Sequence, residues 1–258
     1  MINLDDYGLL TIFAVGLIAI LGAGEIGRLL GARVVGRGGG DVSTLEGATL
    51  GLLALMIGFT FAMALSRFEA RRDAVVNEAN AIGTTALRAR LLPAPDRSEV
   101  LKLLKEYVQI RLEVTRSALS VHALNTVIAR SNQIQEALWQ TTMAVAAKDA
   151  ALVPTGVFIQ SLNEMIDNHG KRLAAAQNRV PNIVFLSLYG VAIFAFAFVG
   201  YANGLQKRRL RFPTYLMGAI VASVILLVQD LDRPTAGFIS VSQQPMLDLA
   251  ASIASYSK

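Results

Sequence analysis

The sequence predicts an all-α integral membrane protein with four transmembrane helices and a domain of helical hairpins inserted between spans two and three. Three observations predict this. Of the 258 residues, 53% are hydrophobic and only 17% are charged, a balance outside the range of soluble domains. Four uncharged runs, Tyr7 to Gly24, Gly47 to Ser66, Val180 to Gln206 and Phe212 to Gln229, are each long enough to cross a hydrocarbon core as a helix. Between the second and third runs the chain is poor in glycine and β-branched clusters and rich in alanine, leucine, glutamate, glutamine and arginine, the composition of helices.

The same composition excludes several classes of function. Cysteine is absent, so there are no disulfides, thiolate metal sites or thiol nucleophiles. The two histidines, His122 and His169, lie far apart with no carboxylate at ligand spacing, and no cofactor is expected. No G-x-S-x-G elbow, H-E-x-x-H pair or phosphate-binding loop occurs, so no enzyme is predicted. The net charge of +5 belongs to the flanks of spans rather than to a nucleic-acid surface.

In chain order, residues 1–66 hold spans one and two. The start, MINLDDYGLL, is acidic where a cleaved leader would be basic, so the first run is expected to stay as a span. It ends at Glu25 and Arg28, near Gly27 and Gly31, whose spacing suits either close helix packing or a fraying end. A loop with Arg33, Arg37 and Gly38 to Gly40 leads to Asp41, Ser43 and Thr44, candidate caps for the next helix.

That helix is the longest element, continuous from Gly47 to Leu92, apolar to Ser66 and charged from Arg67 onward. Residues 67–179 form the helical domain. Pro93-Ala94-Pro95 turns the chain, and Asp96 with Glu99 has the spacing of a capping box. Val100, Leu103, Leu104, Tyr107, Val108 and Leu112 then make one apolar stripe. Further helices are predicted from Ser120 to Ala150, with the only tryptophan, Trp139, and from Thr155 to Asn178 after a break at Leu152-Val153-Pro154. Residues 180–229 hold spans three and four, joined by Lys207, Arg208, Arg209 and Arg211, and 230–258 form a tail ending in a short helix.

Four spans put both termini and the helical domain on one side. The two short loops carry seven basic residues, which the positive-inside rule assigns to the cytoplasm. The helical domain and termini are then expected in the periplasm of a bacterial cytoplasmic (inner) membrane.

Gly58-Phe59 through Ala64, Arg67, Arg71-Arg72, Glu78-Ala79-Asn80-Ala81-Ile82-Gly83-Thr84 and Arg88 resemble the signature of the bestrophin-like DUF4239 membrane proteins, and Leu231-Asp232-Arg233-Pro234 with Gly237 and Val241 resembles the same family's C-terminal motif. By analogy with bestrophins, the resemblance implies a pentamer and an ion pore lined by the second span, with the helical domain in the cytoplasm. That placement opposes the charge count. The acidic calcium-clasp run that bestrophins carry after the fourth span is missing, with only Asp230 and Asp232 in its place.

Leu52, Met56, Phe59 and Met63 share one helix face in span two. Either they form an apolar ring that gates a pore by dewetting, or they meet lipid and neighbouring helices. Arg67, Arg71 and Arg72 would concentrate anions as rings, and Asp230 or Asp232 cations; alternatively these charges pair and hold span four to span two. Asn77, Glu78, Asn80 and Thr84 either line a hydrated vestibule or form a solvated face. The expected function is an oligomeric, pentameric ion channel or pore, a homo-oligomer in membrane lipid whose other partners are small ions and not nucleic acid. The alternative is a non-conducting membrane scaffold or sensor acting through the helical domain.

Overall fold

The structure, a computed structural model, describes residues 7–34, 42–116, 121–148, 152–206, 211–234 and 237–256, without the side chains of 114–116, 121–124 and 152. Arg37, the run Gly38 to Gly40, Asp41, Lys207, Arg208, Arg209 and the side chain of His122 lie outside the described residues. Eight helices are described: α1 (Leu9–Val34), α2 (Ser43–Ala89), α3 (Asp96–Arg116), α4 (Val121–Lys148), α5 (Leu152–Gln177), α6 (Asn182–Leu205), α7 (Phe212–Asp232) and α8 (Gln244–Ser255). The chain divides into two compact units, Met1–Phe68 with Arg179–Ile239, and Glu69–Asn178 with Ser240–Lys258.

In the first unit α1, α6, α7 and the beginning of α2 are long and apolar enough to cross a membrane. A bilayer gives apolar side chains no reason to leave lipid for one another, so spans associate through close packing. The closest packing is between α1 and α6. A Cβ built at Gly27, Gly31, Gly200 or Gly204 would collide with the backbone of Ala197, Tyr201, Gly24 or Arg28 respectively. The two helices meet main chain to main chain, which resolves the glycine cluster as packing rather than fraying. Helix α1 accordingly runs nine residues beyond Glu25, to Val34.

Ile20, Leu53, Leu188, Phe196 and Ile225 fill the space between these helices. A second cluster, Ala64, Val180, Phe185, Val228 and Leu231, lies in the same unit. Here α6 starts at Pro181, and the Val180 N–H donates to both carboxylate oxygens of Asp232, at 3.0 and 3.1 Å. Asp230 accepts from the N–H groups of Phe238 and Ile239, at 2.6 and 3.0 Å, and only a glycine fits at 237 beside that carboxylate.

The second unit packs the rest of α2 with α3, α4, α5 and α8 around Ile82, Leu104, Tyr107, Leu138, Phe158, Leu162 and Met165. Pro93-Ala94-Pro95 turns the chain as expected, and the N–H groups of Arg97 and Ser98 cap that turn on the Pro93 and Pro95 carbonyls at 3.0 Å each. Leu152-Val153-Pro154 does not break the chain. It forms the first turn of α5, where a proline has no hydrogen bond to lose. Thr85 Oγ1 and Arg88 Nη1 tie α2 to α5 by donating to the carbonyls of Ser161 and Val157, both at 2.9 Å. The tail is not a unit of its own: residues to Ile239 belong with the spans, whereas α8 sends Met246, Leu249 and Ile253 into the helical core.

The α1 glycines provide an internal control. Gly27→Ala is expected to lower the thermal unfolding midpoint in detergent, by the equivalent of about 1–3 kcal/mol for an overpacked contact. Gly22→Ala, where a Cβ meets nothing within 4 Å, is expected to be neutral or to stabilise by up to about 1 kcal/mol.

Candidate functional site

The apolar half of α2 is the least covered span. Within its most apolar window 17% of residues are buried, against 28% in α1 and in α7. The sequence explains why: Gly47, Gly51, Gly58, Ala54 and Ala62 leave no bulk between the larger side chains. Phe59 is 64% exposed, Leu52 49% and Met63 37%. Met56 differs from these three, since it is partly buried and packs on the cluster around Leu53. Thr60, one turn after Met56 and buried beside it on the covered flank, satisfies its hydroxyl on the Met56 carbonyl at 2.7 Å.

Beyond the apolar half, the charged residues separate by burial. Arg67 Nη1 donates to the Met63 carbonyl at 3.4 Å, Arg71 is buried, and Arg72 is exposed. Asp230 and Asp232 are buried in the first unit with their oxygens on the backbone N–H groups described above. They serve as internal anchors for the chain, not as an exposed acidic ring. An aspartate at a helix C-terminus opposes the helix dipole, and the N–H groups compensate it.

Among the polar residues of α2, Asn77 and Asn80 are exposed and Thr84 is half-buried, on a common helix face. Glu78 corrects the expectation of a vestibule-lining residue, because its side chain has no exposed surface. The apolar packing of α3, α4 and α5 encloses it, and four polar side chains converge on its carboxylate. Arg111 Nε lies 2.9 Å from Oε1 and Arg111 Nη2 donates to Oε2 at 3.3 Å. Arg172 Nη1 donates to Oε2, while its Nη2 reaches Gln243 Oε1 at 2.9 Å. Tyr107 Oη donates to Oε1 at 3.3 Å and accepts from Gln135 Nε2 at 3.1 Å.

His169 Nδ1 lies 3.0 Å from Tyr107 Oη and 3.4 Å from Glu78 Oε1. The tautomer with the proton on Nδ1 gives every one of these contacts a donor and an acceptor. Its Nε2, buried without a partner among the described residues, is then a bare acceptor rather than a stranded donor.

Two effects compete on the carboxyl of Glu78. Burial pushes its pKa up, but the hydrogen bond from His169 and the charges of Arg111 and Arg172 outweigh burial and hold it at about 2. Burial and the neighbouring carboxylate push the Tyr107 phenol up, so it stays protonated as a donor. The spacing of α3 predicts Tyr107 within its apolar stripe, and the structure turns its hydroxyl into this buried cluster. The available signal was spacing: Tyr107 with Arg111, and His169 with Arg172, share helix faces at four and three residues.

The sequence profile of the bestrophin-like domain matches residues 41–246. The chain belongs to the bestrophin-like family. No curated protein matches the sequence. Among solved structures, a variant of a bacterial bestrophin homologue from Klebsiella pneumoniae shares this bestrophin-like fold with a TM-score of 0.69, at 16% identity over 96% of each chain. The same homologue solved by zinc phasing gives 0.65 at 15% identity over 95% of each chain. A further membrane protein gives 0.65 at 15% identity, again over 95% of each. The shared fold covers the four spans and the inserted helices of this bestrophin-like chain alike.

Glu78→Gln is expected to cost about 3–5 kcal/mol, because it strands two buried guanidinium groups, and Tyr107→Phe about 1 kcal/mol. The pH dependence has a definite sign. With a folded pKa near 2 against 4.5 for the free group, the stabilisation by Glu78 is complete above about pH 4.5 and lost as pH falls toward 2. Thermal unfolding in detergent across this window should show the wild-type and Glu78→Gln midpoints converging on acidification.

Proposed function

We propose that the protein is a subunit of a homo-oligomeric, pentameric ion channel whose pore is lined by α2. The observation that carries this reading is the uncovered apolar face of Leu52, Phe59 and Met63 on the least buried span. The bestrophin-like fold supports it. Around a symmetry axis that face would make rings of apolar side chains separated by glycine and alanine, a constriction that holds ions back by dewetting. Met56, packed behind the ring, sets its position.

Asn77, Asn80 and Thr84 would line the hydrated vestibule next to it. Glu78, Asp230 and Asp232 are occupied within the subunit, so Asp73 is the acid left exposed on the face of Asn77, Asn80 and Thr84, and Arg67 and Arg72 are the nearest candidates for attracting anions. The seven basic residues in and flanking the two short loops, Arg28 and Arg33 on the end of α1 among them, favour a cytoplasmic location for those loops, with the helical domain and termini in the periplasm.

Flux from proteoliposomes tests the gate. Phe59→Ala and Met63→Ala are each expected to raise ion flux severalfold by widening and wetting the constriction. Unchanged flux in both, with the proteins folded, would refute the gate and turn attention to a scaffold acting through the helical domain. Single cysteines at Ser98 and Gly39, in a chain with no native cysteine, test orientation: an impermeant reagent outside the cell should label Ser98 and spare Gly39.

A further inference from the structure

A cleft in the first unit opens between α1, α6 and α7 beside the short-loop ends of these helices, with Leu21, Phe196 and Gly200 on its walls and Glu25, Arg28, Arg211 and Tyr215 around its mouth. Counted together with the solvent at its open mouth it spans about 370 Å³, and its deepest point admits a water-sized group. The space exists because of the helix contact: Gly200 lies against the Gly24 backbone, so no side chain can be placed there. We propose that this cleft binds a singly charged phosphate group, presented by a lipid headgroup or free in solution.

Charge and donor count argue for it. Among the described lining residues Glu25 is the only acid and faces two guanidinium groups, so these residues together carry a net charge of +1. The carboxylate acts as a positioning residue. Its Oε2 accepts from Arg28 Nε and Nη2, at 3.0 and 2.8 Å, and its Oε1 accepts from Tyr215 Oη at 2.6 Å. This leaves Arg28 Nη1 with no partner among the described residues.

Arg211 comes no nearer to Glu25 than 3.9 Å, beyond hydrogen-bond length, and its side chain is 52% exposed, so its planar fork of donors is available. Thr214 Oγ1 accepts from Asn203 Nδ2 at 3.1 Å, which keeps its own hydroxyl hydrogen to give. One phosphate with a single negative charge would neutralise the cleft and satisfy these donors together.

Position fits an amphiphile. Glu25 and Arg28 follow directly on the uncharged run from Tyr7 to Gly24, so the mouth lies where hydrocarbon gives way to water and the apolar walls lie on the hydrocarbon side. Basic pockets between spans at that depth are the places where anionic headgroups are held.

The test is native mass spectrometry of the protein in neutral detergent, supplied with phosphatidylglycerol, phosphatidylcholine or inorganic phosphate. Phosphatidylglycerol should bind more tightly than phosphatidylcholine, and Arg211→Gln should weaken it about tenfold, the loss of a charge-assisted hydrogen bond. Arg211 does not hold Glu25 in place, so this variant leaves the positioning contacts intact. Arg97→Gln, at an exposed position of the other unit, should bind like wild type.

If inorganic phosphate displaces the lipid and binds wild type alone, the source is free phosphate; if the lipid stays bound in excess phosphate, the source is the headgroup. Equal binding of both lipids, equal binding by wild type and Arg211→Gln, or no binding of any of the three would overturn the proposal.

Discussion

A carboxylate without access to water persists only where its charge is answered on the spot. Glu78 is answered by groups from α3 and α5, which Gln135 of α4 and Gln243 of the tail support in turn, and the helical unit is arranged around that necessity. Burial of Leu104, Leu138, Phe158 and their neighbours supplies the bulk of the driving force, but apolar contacts tolerate sliding. Hydrogen bonds to one pair of oxygens do not. Tyr107, Arg111, His169 and Arg172 meet the same carboxylate only if α3 and α5 each present a single face to α2, so the cluster fixes rotation and register where the apolar core leaves latitude.

The spans solve the matching problem by the opposite means. In hydrocarbon there is no gain from gathering leucines, and the first unit relies on the absence of side chains. Gly24, Gly27 and Gly31 on one helix, with Gly200 and Gly204 on the other, bring two backbones into contact. The contact spends all its closeness on α1 and α6. It leaves α2 with the aromatic and thioether side chains of Phe59 and Met63 outward.

Element identity was legible because the spans announce themselves by uncharged length, and the turn at Pro93 and Pro95 by proline. The long second helix was legible from the lack of any breaker between Gly47 and Leu92. Pro154 misled, because a proline in a first turn and one in a break look alike until the hydrogen bonds are seen. The site was legible only in part. That Phe59 and Met63 share one face of α2 followed from periodicity. Glu78 was noticed for its polarity and then given to solvent, since one helix cannot reveal what the three helices packed around it contribute. The two aspartates at the end of α7 were open between a ring that attracts cations and pairing with the arginines of span two, and neither reading named their partners: the backbone N–H groups they hold belong to residues 52 positions earlier and eight later.

The docking of α8 has a consequence for the order in which the molecule is made. Met246, Leu249 and Ile253 complete a core whose other members end at Met165, and between them the ribosome must produce both α6 and α7. Helices α2 to α5 therefore emerge with an open apolar side that stays open until two more spans have been synthesised and inserted. A chain that stalls at the third or fourth span would leave uncovered the groove that Met246, Leu249 and Ile253 fill.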